Sequence, residues 1–144
     1  MTRDDWTLLA IAGHPADPTQ WVDPVRVMKV LFITQQELSP EGLDFRFGPY
    51  LYGPFTSEVY DSIASLEKEG LVDVSPVAGR RWGVYKASAT GFARLRELWA
   101  RPLPAHEYLR AVRQWALVQS FADLLRAVYA KYPAFATNTV FEDR

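Results

Sequence analysis

The 144-residue chain contains no cysteine, which excludes disulfides, thiolate nucleophiles and cysteine-held metals and fits a cytoplasmic protein. Histidine is nearly missing too: His14 and His106 are the only two, and they lie far apart in the sequence. There is no glycine-rich phosphate loop and no metal-ligand cluster, and the carboxylates show no recognisable pairing. The expectation is a non-enzyme with no catalytic residue, cofactor or metal. No apolar run approaches the roughly 20 residues needed to span a bilayer. The first residues, MTRDDWTLLAIAG, hold five consecutive apolar positions between acidic flanks, so no secretory signal and no membrane association are expected. Repeats, linkers and low-complexity tracts are absent as well.

What is present is a core. Hydrophobic residues make up 49% of the chain and aromatic residues 14%, which excludes general disorder and suits one compact unit. The formal net charge of -1 conceals an asymmetry. Residues 1–75 carry 5 Lys/Arg against 12 Asp/Glu, whereas residues 76–113 carry 8 against 2. Either the basic segment forms a surface that faces phosphate, or the two segments complement each other inside the fold.

Start and stop signals divide the chain. Asp4 to Ala12 reads as a short helix with Trp6, Leu8 and Leu9 inward, ended by Gly13. Asp23 suits an N-cap and Pro24 a first helical position, opening a central core helix through Leu38. Leu43, Phe45 and Phe47 alternate with Asp44 and Arg46, as in a short strand. Next comes FGPYLYGPFTSEV, whose two Gly-Pro pairs stiffen an aromatic lead-in to a helix capped by Thr56. Phe55 and Tyr60 have hydrophobic-staple spacing, Val59, Ile63 and Leu66 form the inward stripe, and Gly70 ends the helix. LVDVS and WGVYKA form a hairpin around PVAGRR, a basic tip, and Ser88 caps a helix with Phe92, Leu95 and Leu98 inward. Residues 105–132 carry a last helical pattern with a break near Gln119 as one option, and a tail packs through Phe135 or Phe141.

This order predicts a mostly α protein with a small β-hairpin wing: a winged helix-turn-helix unit over residues 1–100 and a helical extension over 101–144. TSEVYDSIASLEKEGLV, the hairpin and YKASATGFARL resemble the third helix, wing and following helix of bacterial MarR-like and PadR-like regulators, over residues 24–100. DPVRVMKVLF, YLYGPFTSEVYDSIASL and VYAKYPAFA are similar, more distantly, to the Panacea antitoxin domain, in which a Y-G-P segment precedes a helix and a K-Y-P segment closes the chain. The first resemblance implies double-stranded DNA as partner, the second a protein.

In the DNA reading, the helix over 56–69 enters the major groove with Ser57, Asp61, Ser65 and Lys68 toward the bases. Arg80 and Arg81 at the wing tip, with Arg46 and Lys86 near it, meet the phosphates. Transcription regulation by a homodimer joined through the C-terminal helix would follow, since a continuous helix over 105–132 would be about 42 Å long. Charge opposes this reading: Glu58, Asp61, Glu67 and Glu69 against Lys68 alone leave the reading helix at -3. The alternative is a protein-binding, antitoxin-like module that uses Tyr50, Tyr52 and Glu58. Phe47, Tyr50 and Tyr52 are expected to pack against the helix Pro24 to Leu38, so that the segment mainly positions the helix after it; exposure of Tyr50 or Tyr52 would favour that alternative instead.

Overall fold

The computed structural model describes residues 1–139. The described chain is α+β, with six α-helices and two small antiparallel hairpins. Helix α1 (Arg3–Ala12) is capped by Thr2, and α2 (Pro24–Leu38) by Asp23, whose side chain accepts from Arg26 N. Pro24 and every residue from Val27 to Thr34 are buried, so α2 is the central element. Helix α3 (Ser57–Lys68) packs on α1 through Val59, Ser62, Ile63 and Leu66. Thr56 caps it, and Gly70 follows it with φ 76°, a left-handed conformation that suits glycine.

Two strands flank α3 on each side. Strands β1 (Gly48–Tyr50) and β2 (Gly53–Phe55) pair across a two-residue turn, Leu51–Tyr52. Strands β3 (Val72–Pro76) and β4 (Gly83–Ala87) form the second hairpin. Val22 and Tyr85 exchange two backbone hydrogen bonds of 2.8 Å, which fastens the segment before α2 to the outer edge of β4. Helix α4 (Ala89–Ala100) is capped by Ser88 and turns Leu95 and Leu98 into the core.

Two expectations need correction. Residues 43–47 form no strand, although their alternation does mark an inner face: Leu43 and Phe45 are buried. The backbone of Phe45 is taken up by the side chain of Gln35, which donates to Phe45 O at 2.7 Å and accepts from Phe45 N at 2.9 Å. The pairing begins only at Gly48.

The long C-terminal helix is also two helices, α5 (Pro104–Val118) and α6 (Phe121–Lys131), separated at Gln119 and Ser120. Arg26 of α2 causes the stop, donating to Ala116 O at 3.1 Å and Gln119 O at 2.6 Å, which satisfies carbonyls at the end of α5. Ser120 then caps α6. Among the described residues no helix reaches about 42 Å. Of the stripe Phe121, Leu125, Val128 and Tyr132, expected to pair two copies of the chain, Leu125 and Val128 are buried within the chain and Tyr132 packs on Phe32 of α2, while Phe121 is exposed.

The two charge segments do complement each other in part. Arg94 of α4 pairs with Asp5 of α1 at 3.0 Å. Arg110 of α5 pairs with Asp17 at 2.7 Å, and buried Arg113 donates to Ala10 O and Ile11 O at the end of α1. Arg80, Arg81, Lys86, Arg96 and Arg101 make no ion pair among the described residues. A second cluster sets Phe47, Tyr132 and Phe135 around Phe32, with ring centroids 4.7–5.2 Å apart. Phe135 therefore anchors the chain's last described turn, whereas Phe141 lies outside the described residues.

Candidate partner-binding surface

The β1–β2 hairpin is built from residues that dispense with a regular ladder. Pro49 faces Pro54, and neither has an N–H, so this pair adds no ladder bond. The Pro54 carbonyl turns instead to Lys29 of α2, whose Nζ donates to it at 3.1 Å. Gly53, at φ 91°, closes the turn in a conformation that suits glycine, and a side chain there would meet Lys29 Cε at 3.4 Å. From outside, Asn138 donates to Pro49 O at 3.2 Å and Thr139 to Leu51 O at 3.1 Å. The hairpin backbone is thus held from both sides.

The tip of this hairpin carries three large side chains in solvent: Tyr50 is 52% exposed, Leu51 42% and Tyr52 48%. Tyr50 stacks on half-buried Phe55 at 4.8 Å, and Tyr52 meets the exposed ring of Phe121 edge-on at 5.7 Å. Phe55 reaches Tyr60 at 6.0 Å, the staple expected from their spacing. Rigid rings over a braced turn present apolar area at little conformational cost, as in interface anchors. Sequence reasoning set Phe121 on the stripe expected to pair two copies of the chain and did not connect it with the hairpin.

The residues nominated for DNA separate into two groups. On α3, Ser57, Asp61 and Lys68 are exposed, but Ser65 turns inward and donates to Asp4 Oδ2 at 2.9 Å. Ser62 joins it on Asp4 Oδ1 at 2.7 Å, which ties α3 to α1. Glu58 is likewise engaged: it accepts from Arg46 N at 2.8 Å and pairs with Arg3 at 3.2 Å and Arg46 at 3.3 Å. The Arg46 amide, then the two guanidiniums, hold the Glu58 carboxyl below its usual range. Among α3 and its C-terminal turn, the exposed carboxylates are Asp61, Glu67 and Glu69, against Lys68.

The β3–β4 hairpin holds the other group. Arg80 and Arg81 are exposed at its tip, with the Arg80 guanidinium 5.1 Å from the Trp82 ring centre. Lys86 lies over Trp21 at 4.5 Å, brought there by the Val22–Tyr85 bridge. Stacking on the rings restrains both cations. Arg46, also nominated for phosphate, is held by Glu58 in the first turn of α3.

Among the described residues no group of three or more His, Cys, Asp or Glu is arranged to hold a metal, and no helix is long and apolar enough to cross a membrane. The two histidines, distant in sequence, flank one ring: His14 and His106 lie 4.5 and 5.3 Å from Trp99. His106 Nδ1 accepts from Leu103 N at 3.1 Å, so it caps α5, and burial lowers its pKa. Compared with known proteins, the chain matches no family model and no curated protein.

Proposed function

We propose that the protein is a protein-binding module, acting in the cytoplasm, whose contact face is the Tyr50–Leu51–Tyr52 tip together with Phe121. The observation that carries this reading is the exposure of three large apolar side chains on a turn braced by Lys29, Asn138 and Thr139. A turn that only anchored α3 would bury these rings. Acidic α3 borders the same face through Tyr60, which favours a partner with basic residues at its rim over a polyanion. Glu58 supports the face from within, as a brace between Arg3 and Arg46.

The test is association with proteins of the native cell, comparing the wild type with a Tyr50→Ser, Tyr52→Ser double variant of equal melting temperature. One discrete protein retained at fixed stoichiometry by the wild type and lost by the variant supports the reading. Equal retention by both removes the hairpin from it.

A second reading, a DNA-binding regulator on a winged-helix scaffold, is favoured by Arg80 and Arg81, exposed at a hairpin tip without an ion pair. Its weak points are α3 itself and the connection before it. Residues 39–56 separate α2 from α3, far longer than a three- to four-residue helix-turn-helix turn, and α3 packs on α1. A homodimer on this reading would use the apolar groove lined by Ile33, Val112, Trp115, Val128 and Tyr132. Binding to mixed genomic fragments at low salt, lost in an Arg80→Ala, Arg81→Ala variant, is what this reading requires.

A further inference from the structure

Against the hairpin lies a cavity of about 210 Å³ whose walls include Met28, Phe55, Tyr60 and Trp82. One cation lines it: Lys29, 3% exposed. A buried ammonium offers three donors, and in this structure a single hydrogen bond is made, to Pro54 O at 3.1 Å. Lys29 forms no ion pair among the described residues. Asp23, the nearest source of opposing charge along α2, is committed to Arg26 at 2.7 Å and to the helix cap. Buried charges are ordinarily paired, so an unpaired ammonium in an aromatic pocket is half of an ion pair.

The geometry points to a small-molecule site in this cavity for a carboxylate with a compact apolar body, its carboxylate on Lys29 Nζ and its body against Phe55, Tyr60 and Trp82. Size agrees with a single ring, since an apolar cavity of about 150 Å³ admits benzene. Chemistry agrees as well. A carboxylate supplies both the missing charge and acceptors for the two remaining N–H groups, and a neutral amide of equal shape supplies only the acceptor. Cationic ligands are disfavoured by Lys29, and a doubly charged phosphate by the lack of a second cation among the lining residues. Tyr50 and Tyr52 also line the cavity, so a bound molecule would touch two residues of the contact face.

The experiment uses purified protein and no macromolecular partner, so its failure is distinct from failure of the protein-binding reading. Benzoate and benzamide are titrated in parallel while the indole N–H of Trp82 and the amide of Gly53 are followed by nuclear magnetic resonance. Benzoate is expected to shift both resonances with a dissociation constant of about 1 mM or tighter, and benzamide to bind at least about tenfold more weakly. A Lys29→Met variant, confirmed as folded by circular dichroism, is expected to lose the benzoate response. Equal binding of benzoate and benzamide, an unchanged response in Lys29→Met, or no response of the wild type would each overturn the proposal.

Discussion

Replacing Lys29 by methionine should stabilise the protein at neutral pH, although the change removes a hydrogen bond. Burial pushes the Lys29 ammonium down from 10.5 to about 8, with Asp23 opposing the shift. Because the unfolded amine keeps its ordinary value, holding the charge inside the fold costs roughly 3 kcal/mol below pH about 8. Methionine has a similar volume and no charge, so that cost disappears. Against it stands the Pro54 carbonyl, left without its donor at about 1 kcal/mol. The variant should therefore be about 2 kcal/mol more stable at pH 7.

The sign then fixes the pH dependence. Between about 8 and 10.5 the unfolded chain binds more protons at this position than the folded chain, so wild-type stability rises with pH. The methionine variant has no such rise, and its advantage should shrink to about zero near pH 10. Tyr60 and Tyr85 are held above their ordinary values, Tyr85 at about 12, mainly by burial, so they lower stability only above 10 and do so in both proteins. Urea denaturation followed by circular dichroism at pH 7 and 9.5 gives the comparison. A variant less stable than wild type at pH 7, or an advantage that does not change with pH, would refute the reasoning.

Other perturbations follow from the same contacts. Arg113→Ala should cost about 3 kcal/mol, because Ala10 O and Ile11 O lose their buried donors and Asp17 loses one of two guanidiniums; chemical denaturation measures it. His106, held below its usual range chiefly by burial, resists a proton that the unfolded chain accepts near 6.5. Wild-type stability should thus fall as pH drops from 7 to 5, and His106→Leu should flatten that fall in thermal melts. Ser120→Ala removes the cap of α6 and should cost about 1 kcal/mol in the same melts.

Much of the fold is legible because its signals are local. Asp23–Pro24, Thr56, Ser88 and Gly70 mark helix ends through bonds spanning three residues or fewer, or through one backbone angle. The misreadings are non-local. Alternation at residues 43–47 encodes an inner face but not a strand partner, and Gln35 takes that backbone instead. The break near Gln119, one of the options left open, has a local mark in the Ser120 cap, but its other support is Arg26, some ninety residues earlier. Ser65 looks outward by helical spacing until Asp4 of α1 is brought against it. Of the candidate site, the rings of Tyr50 and Tyr52 were visible from the start, while their exposure depends on how α6 and residues 138–139 close on the hairpin. Lys29 did leave a trace, as the lone cation in the apolar run VMKVLF, but burial of its whole helix was needed to give it meaning.

The central claim concerns which face meets a partner, and one measurement addresses it directly. A photoreactive amino acid is placed at Leu51 in one version of the protein and at Arg81 in another, and each is irradiated in the native cell. The account predicts a discrete protein adduct from position 51 and none of comparable yield from position 81. Nucleic acid bound at position 81, with no protein adduct at position 51, would contradict it.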